Sequence, residues 1–268
     1  MQIQLLQRYI TGIFIFFMVA CKSNTASHNE DPTSDTTNSS NSIDPKLSES
    51  DRLLLIEKLN STGNSKNAIG HIDFLLRKEP GNPAFLYIKG ETLESLKDTS
   101  GALRYYHDAN AAAGFFLQAK MRILNLYAEN GNSKTLFLAD TLLSNQDAAA
   151  YSSDILLMKG IYYTKRNIPD SAEQTFNKIM RDDYTYLQAY IEKGLLYFDQ
   201  KKYAKALEVF TLSTEVKNDF ADGYFWMAKT FLKLNNKEYA VLNFKKSLAL
   251  DPSITEAREE LKSLGAIQ

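Results

Sequence analysis

The sequence predicts an all-α solenoid of two-helix repeats, because three kinds of residue column recur at one spacing. Ala172, Ala206 and Ala240 stand 34 residues apart, and Phe176, Phe210 and Phe244 keep the same interval four positions further on. Earlier in each unit, Gly160, Gly194 and Ala228 form a small-residue column and Tyr163, Tyr197 and Phe231 an aromatic one. A period of 34 residues exceeds one helix or strand, so the repeated object is a supersecondary unit. Carried backwards, the register gives units beginning at Glu49, Pro83, Leu117, Ser153, Leu187 and Ala221, with steps of 34, 34, 36, 34 and 34.

Composition agrees with a folded chain. Of 268 residues, 44% are hydrophobic and 24% charged, an ordinary ratio for a packed domain. Basic and acidic residues number 31 and 32, so no excess of positive charge exists to neutralise phosphates, and nucleic acid is not expected as a partner. The single cysteine rules out an internal disulfide and a thiolate metal cluster.

Along the chain, residues 1–20 carry Arg8, then an apolar run from Tyr9 to Ala20 broken by Thr11 and Gly12, ending at Cys21. A charged start and a short apolar stretch have the layout of a secretory signal, and a run of about twelve residues falls short of the roughly 20 that span a bilayer. Met18-Val19-Ala20-Cys21 resembles the lipobox of bacterial lipoproteins. That resemblance implies removal of residues 1–20, acylation of Cys21 and attachment to a membrane of the envelope. Lys22 after the cysteine resembles the outer-membrane sorting pattern, with the protein facing the periplasm. Residues 21–48 are then the lipidated cysteine and a tether rich in Ser, Thr, Asn and Asp, with Ile43 as the large aliphatic of the stretch up to Pro45. Such a segment buries too little apolar surface to offset its ordering entropy, and some 24 flexible residues reach about 25–30 Å.

Residues 49–254 are the repeats. The small residues Gly90, Gly160, Gly194 and Ala228 let a first helix approach its partner closely, and Ala68, Ala102, Ala172, Ala206 and Ala240 do so from the second helix. Tyr106, Phe176, Phe210 and Phe244 supply the bulk. Gly63, Gly131, Asn167 and Asn235 occupy the turn between helices, where a left-handed residue ends the first one. Pro80 and Pro252 stand where helices stop. This pattern resembles the tetratricopeptide repeat, which implies a right-handed superhelical solenoid of about six units that receives a ligand on its concave face. Unit three departs from the pattern. Leu124 and Leu136 replace its small residues, Asp140 stands at the aromatic position, and two residues are added near "SNQDAAAYSS". Residues 255–268 form a capping helix, opened by a Ser253–Glu256 capping box; Ile254, Ala257, Leu261 and Leu264 face inward, and Arg258, Glu259, Glu260 and Lys262 face water.

The chemistry-bearing residues point away from catalysis. His28, His71 and His107 lack metal-ligand spacing and read as solvated, and no phosphate loop, GxSxG elbow or facing carboxylate pair occurs. No enzyme activity, cofactor or metal is expected. On each first helix, positions two, five, nine and twelve lie opposite the packing columns. In units one and two this face carries Glu57, Tyr87, Glu91 and Glu94. In units four to six it carries Leu157, Ile161, Ile191, Leu195, Phe198, Phe225 and Leu232, with Lys229 beside them and Lys233 at the margin. In tetratricopeptide proteins these positions line the groove, so the resemblance implies a protein or peptide ligand for an envelope assembly, secretion or cell-wall complex. Three accounts of the apolar part stand together: a ligand groove, a self-association surface of a structural protein, and internal packing between neighbouring first helices.

Overall fold

A computed structural model describes residues 43–267. The signal segment, Cys21 and the tether up to residue 42 lie outside the described residues. These contain thirteen α-helices and no strand. In chain order they are α1 Glu49–Ser61, α2 Ser65–Lys78, α3 Pro83–Ser95, α4 Thr99–Ala113, α5 Leu117–Glu129, α6 Lys134–Leu143, α7 Ser152–Lys165, α8 Pro169–Asp182, α9 Leu187–Asp199, α10 Tyr203–Val216, α11 Ala221–Lys233, α12 Lys237–Leu250 and α13 Thr255–Ser263. Odd and even helices up to α12 pair as six antiparallel hairpins, each second helix also packs on the next first helix, and α13 covers α12. This is the all-α solenoid of tetratricopeptide type.

Local chemistry places the helix boundaries. The side chains of Ser48, Asn82, Asp98 and Asn236 accept hydrogen bonds from first-turn amides of α1, α3, α4 and α12. Every turn between hairpin partners contains one left-handed residue. Gly63, Gly131, Asn167 and Asn235 are the expected ones, while Lys97 (φ 66°) and Lys201 (φ 59°) fill the equivalent positions in units two and five. Geometry thus imposes the turn even where a side chain opposes it.

Core packing follows the columns. The rings of Tyr106, Phe176, Phe210 and Phe244 are fully buried, as are the alanines Ala68, Ala102, Ala172, Ala206 and Ala240. A Cβ on Gly90, Gly160 or Gly194 would overlap the ring of Tyr106, Phe176 or Phe210. Phe210 also stacks on Trp226 of the next hairpin, with centroids 6.0 Å apart. The other aromatic column is less uniform. Tyr197 is buried and donates to Glu173 Oε1 at 2.6 Å, whereas Tyr163 and Phe231 are half-buried.

Unit three is altered as its sequence indicates, and more deeply. Thr135, Ala139 and Leu142 are the fully buried residues of α6, each one position earlier than the column would give, while Asp140 is exposed. The helix has turned by one residue because Leu136 and Asp140 cannot take the alanine and aromatic places. Bulk and gap are exchanged: Leu124 on the first helix is fully buried and Ala139 supplies the small side. The added residues form a 3-10 segment, Gln146–Tyr151, and α5 meets α7 more extensively than it meets its own partner α6.

Both ends correct the sequence reading. The compact unit begins at Ile43, so residues 43–48 belong to the body rather than to the tether. Ile43 lies against Gly70, and Asp44 offers its carbonyl to Arg52. Arg52 is fully buried, bonded at 3.0 Å to His71 Nδ1 and lying over the Phe74 ring at 4.1 Å. His71 is therefore not a fully solvated histidine, whereas His107 is exposed as expected, with its Nε2 3.0 Å from the Tyr127 hydroxyl. At the other end Ile254, Ala257 and Leu261 are buried as expected. The capping box is absent, because Ser253 bonds Asp251 and Glu256 is taken by Lys229. Glu260 likewise turns inward to Lys229 rather than to water.

Candidate functional site

The eleven candidate groove residues all fall on first helices: Tyr87 and Glu91 on α3, Leu157 and Ile161 on α7, Ile191, Leu195 and Phe198 on α9, and Phe225, Lys229, Leu232 and Lys233 on α11. Five of them are not open surface. Leu157, Ile161, Ile191 and Phe225 are 3% exposed and Leu195 5%. Successive first helices touch, α5 to α7, α7 to α9 and α9 to α11, and Phe225 also packs within its own hairpin, its ring centroid 5.8 Å from that of Phe244 on α12. Of the three accounts, internal packing holds for these five. Repetition brings equivalent apolar residues of neighbouring units together, and burying them against each other removes apolar area from water without a partner.

Charged candidates are committed as well. Arg122 of α5, 8% exposed, holds Glu91 at 2.8 Å and lies 3.8 Å from Glu94, and its Nε donates to the Tyr87 hydroxyl at 3.3 Å. Tyr106 donates to Glu94 Oε2 at 2.7 Å. Glu91 and Glu94 of unit two are thus partly compensated by one guanidinium from unit three, a partly buried network that ties units two and three together, while Glu57 of unit one is exposed. Lys229 is held at 2.9 Å by both Glu256 and Glu260 of the capping helix. Its ammonium fastens the cap and is not free for a ligand carboxylate. Phe198 is half-buried against Tyr203 and Trp226, Leu232 is half-buried, and Lys233 is exposed.

What remains accessible on the first-helix face is polar and centred on units four and five. Gln188 and Glu192 share one side of α9, with the amide Nε2 donating to Glu192 Oε1 at 3.0 Å. Burial pushes the Glu192 carboxyl up to about 7, and the nearby carboxylates Glu129 and Asp199 add to the effect while Lys165 opposes it. Lys165 pairs with Glu129 at 3.2 Å. Glu192 keeps some accessible surface, so it sits in an enclosed but open position. On the preceding unit, Asp154 of α7 accepts from the Tyr186 hydroxyl at 2.6 Å, and burial raises its carboxyl above the ordinary value. Here carboxylates are costly to ionise and only partly compensated, which is the electrostatic state a cationic ligand group would relieve.

Arg122 and Glu192 escaped the sequence reading for one reason. Both occupy the sixth position of their first helices, 100° around from the fifth, and the four-position face leaves that line out. A charged residue at a position filled by Met158 in unit four and Trp226 in unit six is the signal that finds them. Among the described residues no cluster of histidine, cysteine or carboxylates has the grouping of a metal site, and no helix is long and apolar enough to cross a membrane.

Comparison with known proteins agrees with the fold. The tetratricopeptide repeat family matches residues 187–220 and 221–254. A search of curated proteins finds no match. The chain is similar in structure to PilW, a widely conserved type IV pilus biogenesis factor, with a TM-score of 0.60 at 16% identity over 78% of this chain and 96% of that one. It is also similar to the C-terminal part of a repeat-containing protein of this type from Cytophaga hutchinsonii, with a TM-score of 0.51 at 18% identity over 79% and 84% of the respective chains. At these identities the likeness establishes a shared fold.

Proposed function

We propose that this chain, whose residues 187–254 are tetratricopeptide repeats within a solenoid of that fold, is a non-enzymatic protein-interaction scaffold of the bacterial envelope. In this reading it is acylated at Cys21, faces the periplasm from the outer membrane, and receives a peptide or helix on its first-helix face as an accessory to an envelope assembly, secretion or cell-wall complex. The observation that carries the binding role is Glu192, enclosed on that face, raised to about 7 and bonded by the neutral amide of Gln188. A Lys, Arg or terminal amine from a partner would restore its charge with a short ion pair. The half-buried Phe198 and Leu232 with exposed Lys233 extend the same face into units five and six, and Tyr87 and Glu91 mark its other end. Envelope placement rests on residues 1–21 and not on the likeness to PilW, which is one of fold.

The test places a photo-crosslinking residue at Gln188 in the native host, with a control at exposed Glu259, each with and without Glu192→Lys. A protein captured from position 188, absent from 259 and lost with Glu192→Lys is the expected result. Capture of the chain itself would replace this reading with a self-associating structural protein, and equal capture from both positions would reject the face as a site. Separately, metabolic labelling with a fatty-acid analogue is expected to mark the protein, and Cys21→Ser to abolish that labelling. Absence of labelling, or labelling that survives Cys21→Ser, would remove the lipid anchor at this residue.

A further inference from the structure

The turns joining hairpin partners line one edge of the solenoid, and their character changes along it. Neighbouring turns are in contact, since Gly131 lies against the side chains of Lys165 and Arg166. Over seven residues each, turns one to three read "STGNSKN", "SLKDTSG" and "ENGNSKT", where Lys66, Lys97 and Lys134 stand against Asp98 and Glu129. Turns four to six read "KRNIPDS", "DQKKYAK" and "KLNNKEY". Arg166, Lys201, Lys202, Lys205, Lys233 and Lys237 are all exposed there. Between them stand Ile168, Leu234 and Tyr239, large apolar side chains exposed by 40%, 42% and 51%. Lys201, Lys202 and Lys205 share a shallow cavity of about 430 Å³ with Tyr203 and Leu234.

We propose that this edge, at units four to six, docks on the surface of an anionic lipid bilayer. The apolar side chains are single tips on successive turns rather than one continuous groove, which suits insertion among headgroups better than the seating of a peptide. The lysines and arginine surrounding them carry long apolar stems and would keep their charges at the phosphate level while the tips enter the interface. Asp170, Asp199 and Glu238 are the acids within these turns against Lys165, Arg166, Lys201, Lys202, Lys205, Lys233 and Lys237, so positive charge dominates locally although the whole chain is nearly neutral. The proposal goes beyond the scaffold reading and depends neither on the Glu192 face nor on acylation of Cys21.

The test uses the full-length chain carrying Cys21→Ser, so that no acyl group contributes, and measures partition onto vesicles of phosphatidylcholine alone and with about one third phosphatidylglycerol. The apolar run before Cys21 contributes to both vesicle types, so the readout is the increment that the anionic lipid brings. About fivefold in binding is expected per lysine near an anionic surface. Lys201→Glu/Lys202→Glu/Lys205→Glu, which reverses three charges, is therefore expected to lower that increment by at least a hundredfold, and Leu234→Ser/Tyr239→Ser to lower binding to the anionic vesicles at least fivefold relative to the parent chain. Lys217→Glu/Lys245→Glu/Lys262→Glu, the same charge change off this edge, should leave it within about twofold. Absence of an anionic increment, equal losses from the edge and control triples, or an edge that captures an acidic protein while vesicles stay unbound would each overturn the proposal.

Discussion

Gly194 shows at one residue how the repeat is specified. Its hydrogen side leaves room for the Phe210 ring, and a Cβ there would overlap that ring, yet unit six places Ala228 at the same position beside a fully buried Phe244. The site therefore tolerates a methyl once the ring shifts and nothing larger. Gly194→Ala is expected to cost about 1 kcal/mol or less, because gained helix propensity offsets part of the crowding, whereas Gly194→Leu should cost about 3 kcal/mol. Chemical denaturation of the two variants checks this, and equal costs would mean that the column does not set the helix separation. Glu192 makes the converse case for a residue under electrostatic strain. Its folded-state value, raised to about 7, lies above that of an unfolded glutamate near 4.5. Its contribution is thus most favourable below about pH 4.5 and is lost as pH rises through 7. Glu192→Gln should stabilise the protein at pH 8 by about 1–2 kcal/mol, a figure reduced for the partial solvent access of the carboxyl, and should change little at pH 4. Melting curves at the two pH values give the sign directly.

At the scale of elements, α6 is where sequence and structure part most. The column register places Leu136 and Asp140 inward, but the helix turns by one residue and buries Thr135 and Ala139 instead. Consequently Ala139→Leu is expected to destabilise by about 2–3 kcal/mol, while Asp140→Ala stays within about 0.5 kcal/mol, its exposed pair with Lys159 at 2.8 Å being worth little. Denaturation midpoints that ranked the two the other way would restore the unshifted register. Leu124, Leu136 and Asp140 mark the α5–α6 hairpin as irregular in the sequence. Its new register was not legible, because one large residue on a first helix can be accommodated either by displacing the second helix or by rotating it, and only packing against both neighbours selects rotation. The turns teach a related lesson. Glycine and asparagine at four of them announced a left-handed residue, whereas Lys97 and Lys201 gave no such sign. There the closure of the hairpin overrides a local preference of about 1–2 kcal/mol.

For the whole molecule, one-dimensional packing means that each hairpin depends on its neighbours and that the ends need covers. The C-terminal cover is α13, whose Ala257 and Leu261 are buried and whose Glu256 and Glu260 grip Lys229. Ending the chain after Asp251 should therefore lower hydrogen-exchange protection in α11 and α12 strongly and leave α1 to α4 near their original values. Uniform loss along the chain would show that the solenoid unfolds as a single unit. Column spacing and turn residues were enough to determine a solenoid of six hairpins and the helices that make up its first-helix face. The sequence did so because each unit repeats the same short-range contacts, and such contacts leave a period behind. Which residues of that face stay open was decided by the tertiary structure alone. Leu157, Ile191 and Phe225 are buried within the solenoid, Arg122 reaches back to pair with Glu91, Lys229 is claimed by the cap, and Glu192 is left enclosed on the face. Those outcomes depend on distances between units, and a period fixes the order of the units but not how closely their side chains meet.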